Sequence, residues 1–166
     1  PPWSETRHGI KVNYLPVPTL PLITNWIDPL LWANTVQPVI ATMVERTRDD
    51  VVLDGHFLYP DGAATALVGK RLGIPVVLTA RGSDVNVKCR NILMRQWVLW
   101  ACAKSAAIIT VSKALKDRLV EMGVEDDRLT VLRNGVNLEK FSSILLDGDG
   151  RPDNAELSIV SVGHLL

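Results

Sequence analysis

A chain of 166 residues, 47% hydrophobic and 22% charged, carries about one domain's worth of sequence with enough apolar material for a core, which excludes disorder. Lys plus Arg equals Asp plus Glu at 18 each, so no basic excess points to a nucleic acid. No apolar run approaches the roughly eighteen residues a membrane span needs, and PPWSETRHGI does not read as a signal peptide. Cys89 and Cys102 form no CxxC or metal-ligand spacing, which suits a reducing compartment and predicts a cytoplasmic protein.

In chain order, GIKVNYLPV (9–17) reads as an edge strand running into Pro16 and Pro18. Residues 24–50 have helical tendency, with Pro29 and Pro38 expected to kink or divide the helix. A short strand is predicted over 51–54, then a helix over 61–73 that is rich in small residues and stopped by Gly73. The strand IPVVLTA (74–80) precedes a long helix over 90–106 and a buried strand over 106–112. A helix over 112–123 starts with Ser112 as its N-cap and ends at Gly123, and a strand follows over 128–136. DGDGRPDN (147–154) is a turn-forming linker, followed by the strand LSIVSVG. Short Val/Ile/Leu-rich strands alternating with helices predict a Rossmann-like, doubly wound parallel α/β sheet. The missing initial Met and the apolar strand at the close predict a piece of a longer protein.

In such sheets ligands sit outside the carboxyl ends of the strands. Those ends are polar here: Gly55-His56, then Arg81-Gly82-Ser83-Asp84, then Ser112, then Asn134-Gly135. Each has an ordinary explanation, His56 as a structural hydrogen-bonder, Arg81 with Asp84 as a local ion pair, Ser112 as a helix cap and Asn134-Gly135 as a turn. Only their convergence on one rim argues for a site. The small residues after Asp61 invite an anion at the helix start, but Asp61 is expected to cap the same amides. Asp147-Gly148-Asp149 has a metal-binding DxD spacing, yet it lies in the linker without converging ligands, so no metal is predicted. GxGxxG is absent, so the layout does not imply a dinucleotide cofactor.

The ordered set GHFLYPDGAATAL, GIPVVLTARGSDVN, AAIITVSKALKDRLVEMGV, LTVLRNGVNLEKF and SIVSVGHLL resembles the N-terminal domain of GT4-type retaining glycosyltransferases of GT-B fold, over about residues 50–142. The resemblance implies one half of a GT-B fold. Residues 1–146 would be the acceptor-side domain without its first strand, 147–156 a linker, and 157–166 the first strand of the donor-side domain. It implies sugar transfer from a nucleotide-sugar to an acceptor hydroxyl with retained configuration, no metal and no other cofactor. It casts His56 beside the transferring sugar, and Arg81, Gly82, Ser83, Asp84, Ser112, Asn134 and Gly135 toward the acceptor. Gly163 and His164 fall toward the donor diphosphate. Arg81 stands where the family usually has a histidine, and His164 where an arginine is often found. A fragment of this kind is expected to be inactive alone.

Trp26, Trp32, Trp97 and Trp100 lie near Arg90, Arg95 and Lys104, the mixture an interfacial helix shows. Leu93, Trp97 and Trp100 recur at helical spacing, so ordinary packing is the favoured reading over peripheral contact with the inner membrane face. The partners expected are a nucleotide-sugar and a carbohydrate or lipid-linked acceptor. Two alternatives stay open: a GT-B-fold nucleotide-sugar epimerase, and a carbohydrate-binding module without turnover.

Overall fold

The computed structural model describes residues 3–18, 25–47 and 50–139. An antiparallel hairpin opens it, β1 (Ser4–Arg7) paired with β2 (Ile10–Asn13). The two residues between them, His8 (φ 49°) and Gly9 (φ 81°), both take left-handed backbone, the turn that matches the twist of a tight hairpin. The edge strand expected over 9–17 is thus shorter and has a partner, the polar segment SETR. Next comes α1 (Asp28–Arg46), one helix rather than a divided one. Pro29 sits in its first turn, where a missing N–H leaves nothing unsatisfied, and Pro38 is carried inside.

The remaining elements alternate as expected: β3 (Leu53–His56), α2 (Ala63–Leu72), β4 (Val76–Ala80), the short α3 (Ser83–Asn86), α4 (Ile92–Lys104), β5 (Ala107–Thr110), α5 (Lys113–Glu121) and β6 (Leu129–Val131). The four strands β3 to β6 form one parallel sheet in that order, flanked by helices, the Rossmann-like α/β architecture expected of half a GT-B fold. The core lies between Val76, Leu78 and Ala80 of β4, Ile108 of β5, and the inward faces of α2, α4 and α5. A second cluster joins Ala33 of α1 to Ala64 and Val68 of α2. The small residues of α2 permit close approach to the sheet. A Cβ at Gly69 would lie 2.2 Å from Val76 Cγ2 and 2.8 Å from the Ile74 carbonyl oxygen.

Helix ends follow local chemistry. The Asn91 side chain accepts from the amides of Leu93 and Met94 and so starts α4, and Ser112 accepts from Leu115 to start α5, as expected for Ser112. Gly73 (φ 69°) closes α2 in the left-handed conformation. The expected Asp61 cap does not form. Gly62 holds the N-cap position of α2 with no side-chain cap bond, while the Asp61 carbonyl accepts from the Thr65 hydroxyl. The chain divides into two compact units, residues 1–134 and 135–166, and the described part of the second is residues 135–139. The linker, Asp147 and Asp149, and the strand expected at 158–163 lie outside the described residues.

Burial pushes the Cys102 thiol up to about 12 and the Tyr59 hydroxyl up to about 12. Burial, aided by the charge of Asp84, takes the Cys89 thiol to about 11. All three acids keep their protons in the folded state beyond the values, 9.0 for the thiols and 10.0 for tyrosine, at which the unfolded chain loses them. Their contribution to stability is therefore complete below pH 9.0 and is lost as the pH climbs toward 12. Urea midpoints measured from pH 8 upward are expected to stay level to about pH 9 and then fall steadily. A midpoint unchanged at pH 11 would contradict this assignment.

Candidate functional site at the strand tips

Parallel pairing places His56 opposite Thr79, so β3 and β4 end side by side and the residues after them share one rim. The strand predicted over 51–54 is shifted by two, which makes His56 its last residue instead of the second residue after it. Next to it, Phe57 takes φ 65° and ψ 130°, a conformation disfavoured for a residue with a side chain. Backbone bonds on either side hold it there: the Phe57 amide donates to Thr79 and the Phe57 carbonyl accepts from Gly62.

Three of the expected rim residues meet. Arg81 Nη2 lies 2.8 Å from His56 Nδ1, and Arg81 Nη1 donates to Asn134 Oδ1 at 3.1 Å. One guanidinium thus links the tip of β3 to the segment after β6, from a strand between them. A fourth residue, Asp54, escaped the sequence reading. Its Oδ2 is 3.2 Å from His56 Nε2, and both side chains are about half exposed at 57% and 48%. Residues two apart in a strand share a face, so the D-x-H spacing was the available signal.

Asp84 has another role. It is 1% exposed, and its carboxylate accepts from the amides of Leu58 (2.7 Å), Gly82 (2.7 Å) and Arg81 (3.2 Å). The local ion pair with the Arg81 guanidinium is not formed. Asp84 instead clamps the two loops that follow β3 and β4, which sets where His56 and Arg81 stand. Gly82 makes the turn possible, since φ 133° with ψ −65° is backbone that a side chain rarely permits. Burial first, and then the negative charge of Asp84, hold the Asp61 carboxyl above its usual range against an opposing bond from its own amide.

Ser83 is exposed at the start of α3. Ser112 spends its hydroxyl on the α5 cap, which its ordinary explanation anticipated. Gly135 belongs to the second unit, and Gly163 and His164 lie outside the described residues. Among the described residues no group of three or more His, Cys, Asp or Glu is arranged to hold a metal ion.

Trp97 and Trp100 pack on the core and meet edge to face at 5.6 Å, and Trp97 Nε1 donates to the Trp26 carbonyl at 2.8 Å. The packing expected at helical spacing is thus present for these two, which are partly buried. Leu93 is 54% exposed, and together with Trp97, Trp100, Trp26, Leu67 and Gln96 it lines an apolar cleft of about 520 Å³. No helix among the described residues is long and apolar enough to cross a membrane.

Comparison with known proteins gives this rim a context. The sequence description of Glycosyltransferase Family 4 matches residues 2–140. An uncharacterized glycosyltransferase of Methanocaldococcus jannaschii is 36% identical over 88 residues, 53% of this chain and 24% of that protein. TuaC of Bacillus subtilis, named as a candidate glycosyltransferase of teichuronic acid biosynthesis, is 30% identical over 141 residues, 84% of this chain and 35% of its own length. The chain therefore spans about a quarter to a third of the length of these relatives. With five motifs in order, a parallel α/β sheet and a family match over residues 2–140, the chain belongs to glycosyltransferase family 4.

Proposed function

We propose that these residues form the acceptor-side part of an enzyme that moves a sugar, of the hexosyl class, from a nucleotide-sugar to an acceptor hydroxyl with retention of configuration. The observation that carries this reading is the meeting of His56, Arg81 and Asn134 at the carboxyl ends of the sheet in a chain of this family. In the reaction the bond from the anomeric carbon to the diphosphate breaks, and the acceptor oxygen bonds to that carbon from the same face. The acceptor proton ends on the departing phosphate. Such a site has to stabilise an oxocarbenium-like centre and a leaving dianion while keeping water away.

His56 stands nearest the transferring sugar in this reading, and Arg81, Gly82, Ser83, Ser112, Asn134 and Gly135 border the acceptor. Asp84 contributes by fixing the two loops. Residues 1–146 act as the N-terminal domain, 147–156 as a linker and 157–166 as the opening of the donor-side domain, where Gly163 and His164 approach the diphosphate. Neither a metal nor another cofactor takes part. The acceptor is a carbohydrate or a lipid-linked carbohydrate, the enzyme works in the cytoplasm, and residues 1–166 alone do not turn over.

The test uses the complete protein that carries these residues, a panel of nucleotide-sugars and cell-derived acceptors. Release of nucleoside diphosphate is followed, and the anomeric configuration of the product is read by NMR. Acceptor-dependent release with one donor and a retained anomeric centre is the expected result. An epimerised nucleotide-sugar without transfer would replace this reading by the epimerase, and binding without any release would replace it by the carbohydrate-binding module.

A further inference from the structure

We infer that Arg81 and Asp54 are positioning residues that act through His56, holding its imidazole in one orientation as the neutral, Nε2-protonated tautomer. The inference rests on the reading of His56 as the residue beside the transferring sugar. An arginine guanidinium can only donate, so at 2.8 Å the ring nitrogen facing Arg81 Nη2 has to be an acceptor. Nδ1 is therefore the bare nitrogen, and the single ring proton sits on Nε2, 3.2 Å from the Asp54 carboxylate. Turning the ring over would set a carbon against the guanidinium and leave the carboxylate without its donor. Both ring faces of the arrangement thus favour the same state.

The geometry also redefines Arg81. The family resemblance casts Arg81 toward the acceptor, but one Nη is committed to His56 and the other to Asn134. The far anchor matters because a single exposed hydrogen bond between long side chains is worth little against their rotamer freedom. With Asn134 holding one prong, the other is delivered to Nδ1 already oriented. Asp54 has no such anchor and needs none, since its place two residues before His56 on one strand presents it to the ring.

Two measurements test this. In residues 1–166 with ¹⁵N-labelled histidine and arginine, the His56 ring is expected as the Nε2–H form only, with a coupling across the hydrogen bond from Arg81 Nη to Nδ1. Arg81→Met is expected to abolish the coupling and admit an Nδ1–H fraction, and Asp54→Ala to keep the coupling while broadening the Nε2–H signal. An Nδ1–H form in the wild type, or no coupling, would overturn the inference whether or not the protein transfers sugar. In the complete protein, Arg81→Met is expected to lower kcat about tenfold or more with the acceptor KM within about twofold. A raised acceptor KM at unchanged kcat would instead make Arg81 a direct acceptor contact and refute the positioning role. Absence of transfer in the wild type would defeat the functional reading while leaving the NMR result to decide the tautomer.

Discussion

Replacing Asp84 by alanine is expected to cost the fold about 3–5 kcal/mol, enough to unfold much of a marginal domain at ambient temperature. The carboxylate is buried and is the acceptor for three amides, those of Leu58, Arg81 and Gly82. Alanine leaves the buried Leu58 amide unsatisfied and takes the acceptor from the part-buried amides of Arg81 and Gly82, and a donor stranded away from water costs about 1–3 kcal/mol before any relaxation. Asp84→Asn separates the contributions. Its one oxygen can serve one loop, but its NH2 would face a donor on the other side, so a loss smaller than that of alanine, about 2 kcal/mol, is expected. Urea denaturation measures both, with the slope unchanged if the transition stays two-state. A loss below about 1 kcal/mol for the alanine variant would show that the amides find other acceptors, and the clamp assignment would fall.

Removing His56 should do the opposite: small for the fold, large for turnover. Its side chain is half exposed and its two partners are surface groups, so His56→Ala is expected to change stability by less than about 1 kcal/mol. Transfer by the complete protein is expected to drop about 10²-fold or more if His56 stands beside the reacting carbon as proposed, since a group there contributes on that order through orientation and proton handling. The contrast with Asp84 separates the two roles on one rim. One residue builds the loops, and in the proposed reading the other works in the space they frame.

Much of this was legible from the residues, and the misses have physical reasons. The parallel sheet was readable because strands buried on both faces demand Val, Ile and Leu runs such as VVL (76–78) and AII (107–109). The end of β3 was missed because Gly55 and His56 look like loop, although parallel pairing with Leu78 and Thr79 makes them strand. β1 was missed because SETR has no apolar alternation; the His8-Gly9 pair that turns the hairpin was the only clue. Asn91 ahead of ILM was an N-cap signal left unread.

At the site, convergence was legible from the rule about carboxyl ends, whereas the direction of each side chain was not. Asp84 follows Gly82 by two residues, and the Gly82 backbone turns its carboxylate inward to the amides rather than outward to the rim. Arg81 reaches Asn134 across 53 residues of sequence, a pairing that only the folded sheet creates. Asp54 went unread because His56 was placed after the strand, and only with both residues in β3 do their side chains share a face.

The central claim is that the strand-tip rim around His56 is where sugar transfer takes place. The most direct measurement is acceptor-dependent release of nucleoside diphosphate by the complete protein and its His56→Ala variant, with equal urea midpoints confirming that both are folded. Release by the wild type and a fall of about 10²-fold or more in the variant is the predicted result. Equal release by both proteins would contradict the account and move the reaction away from this rim.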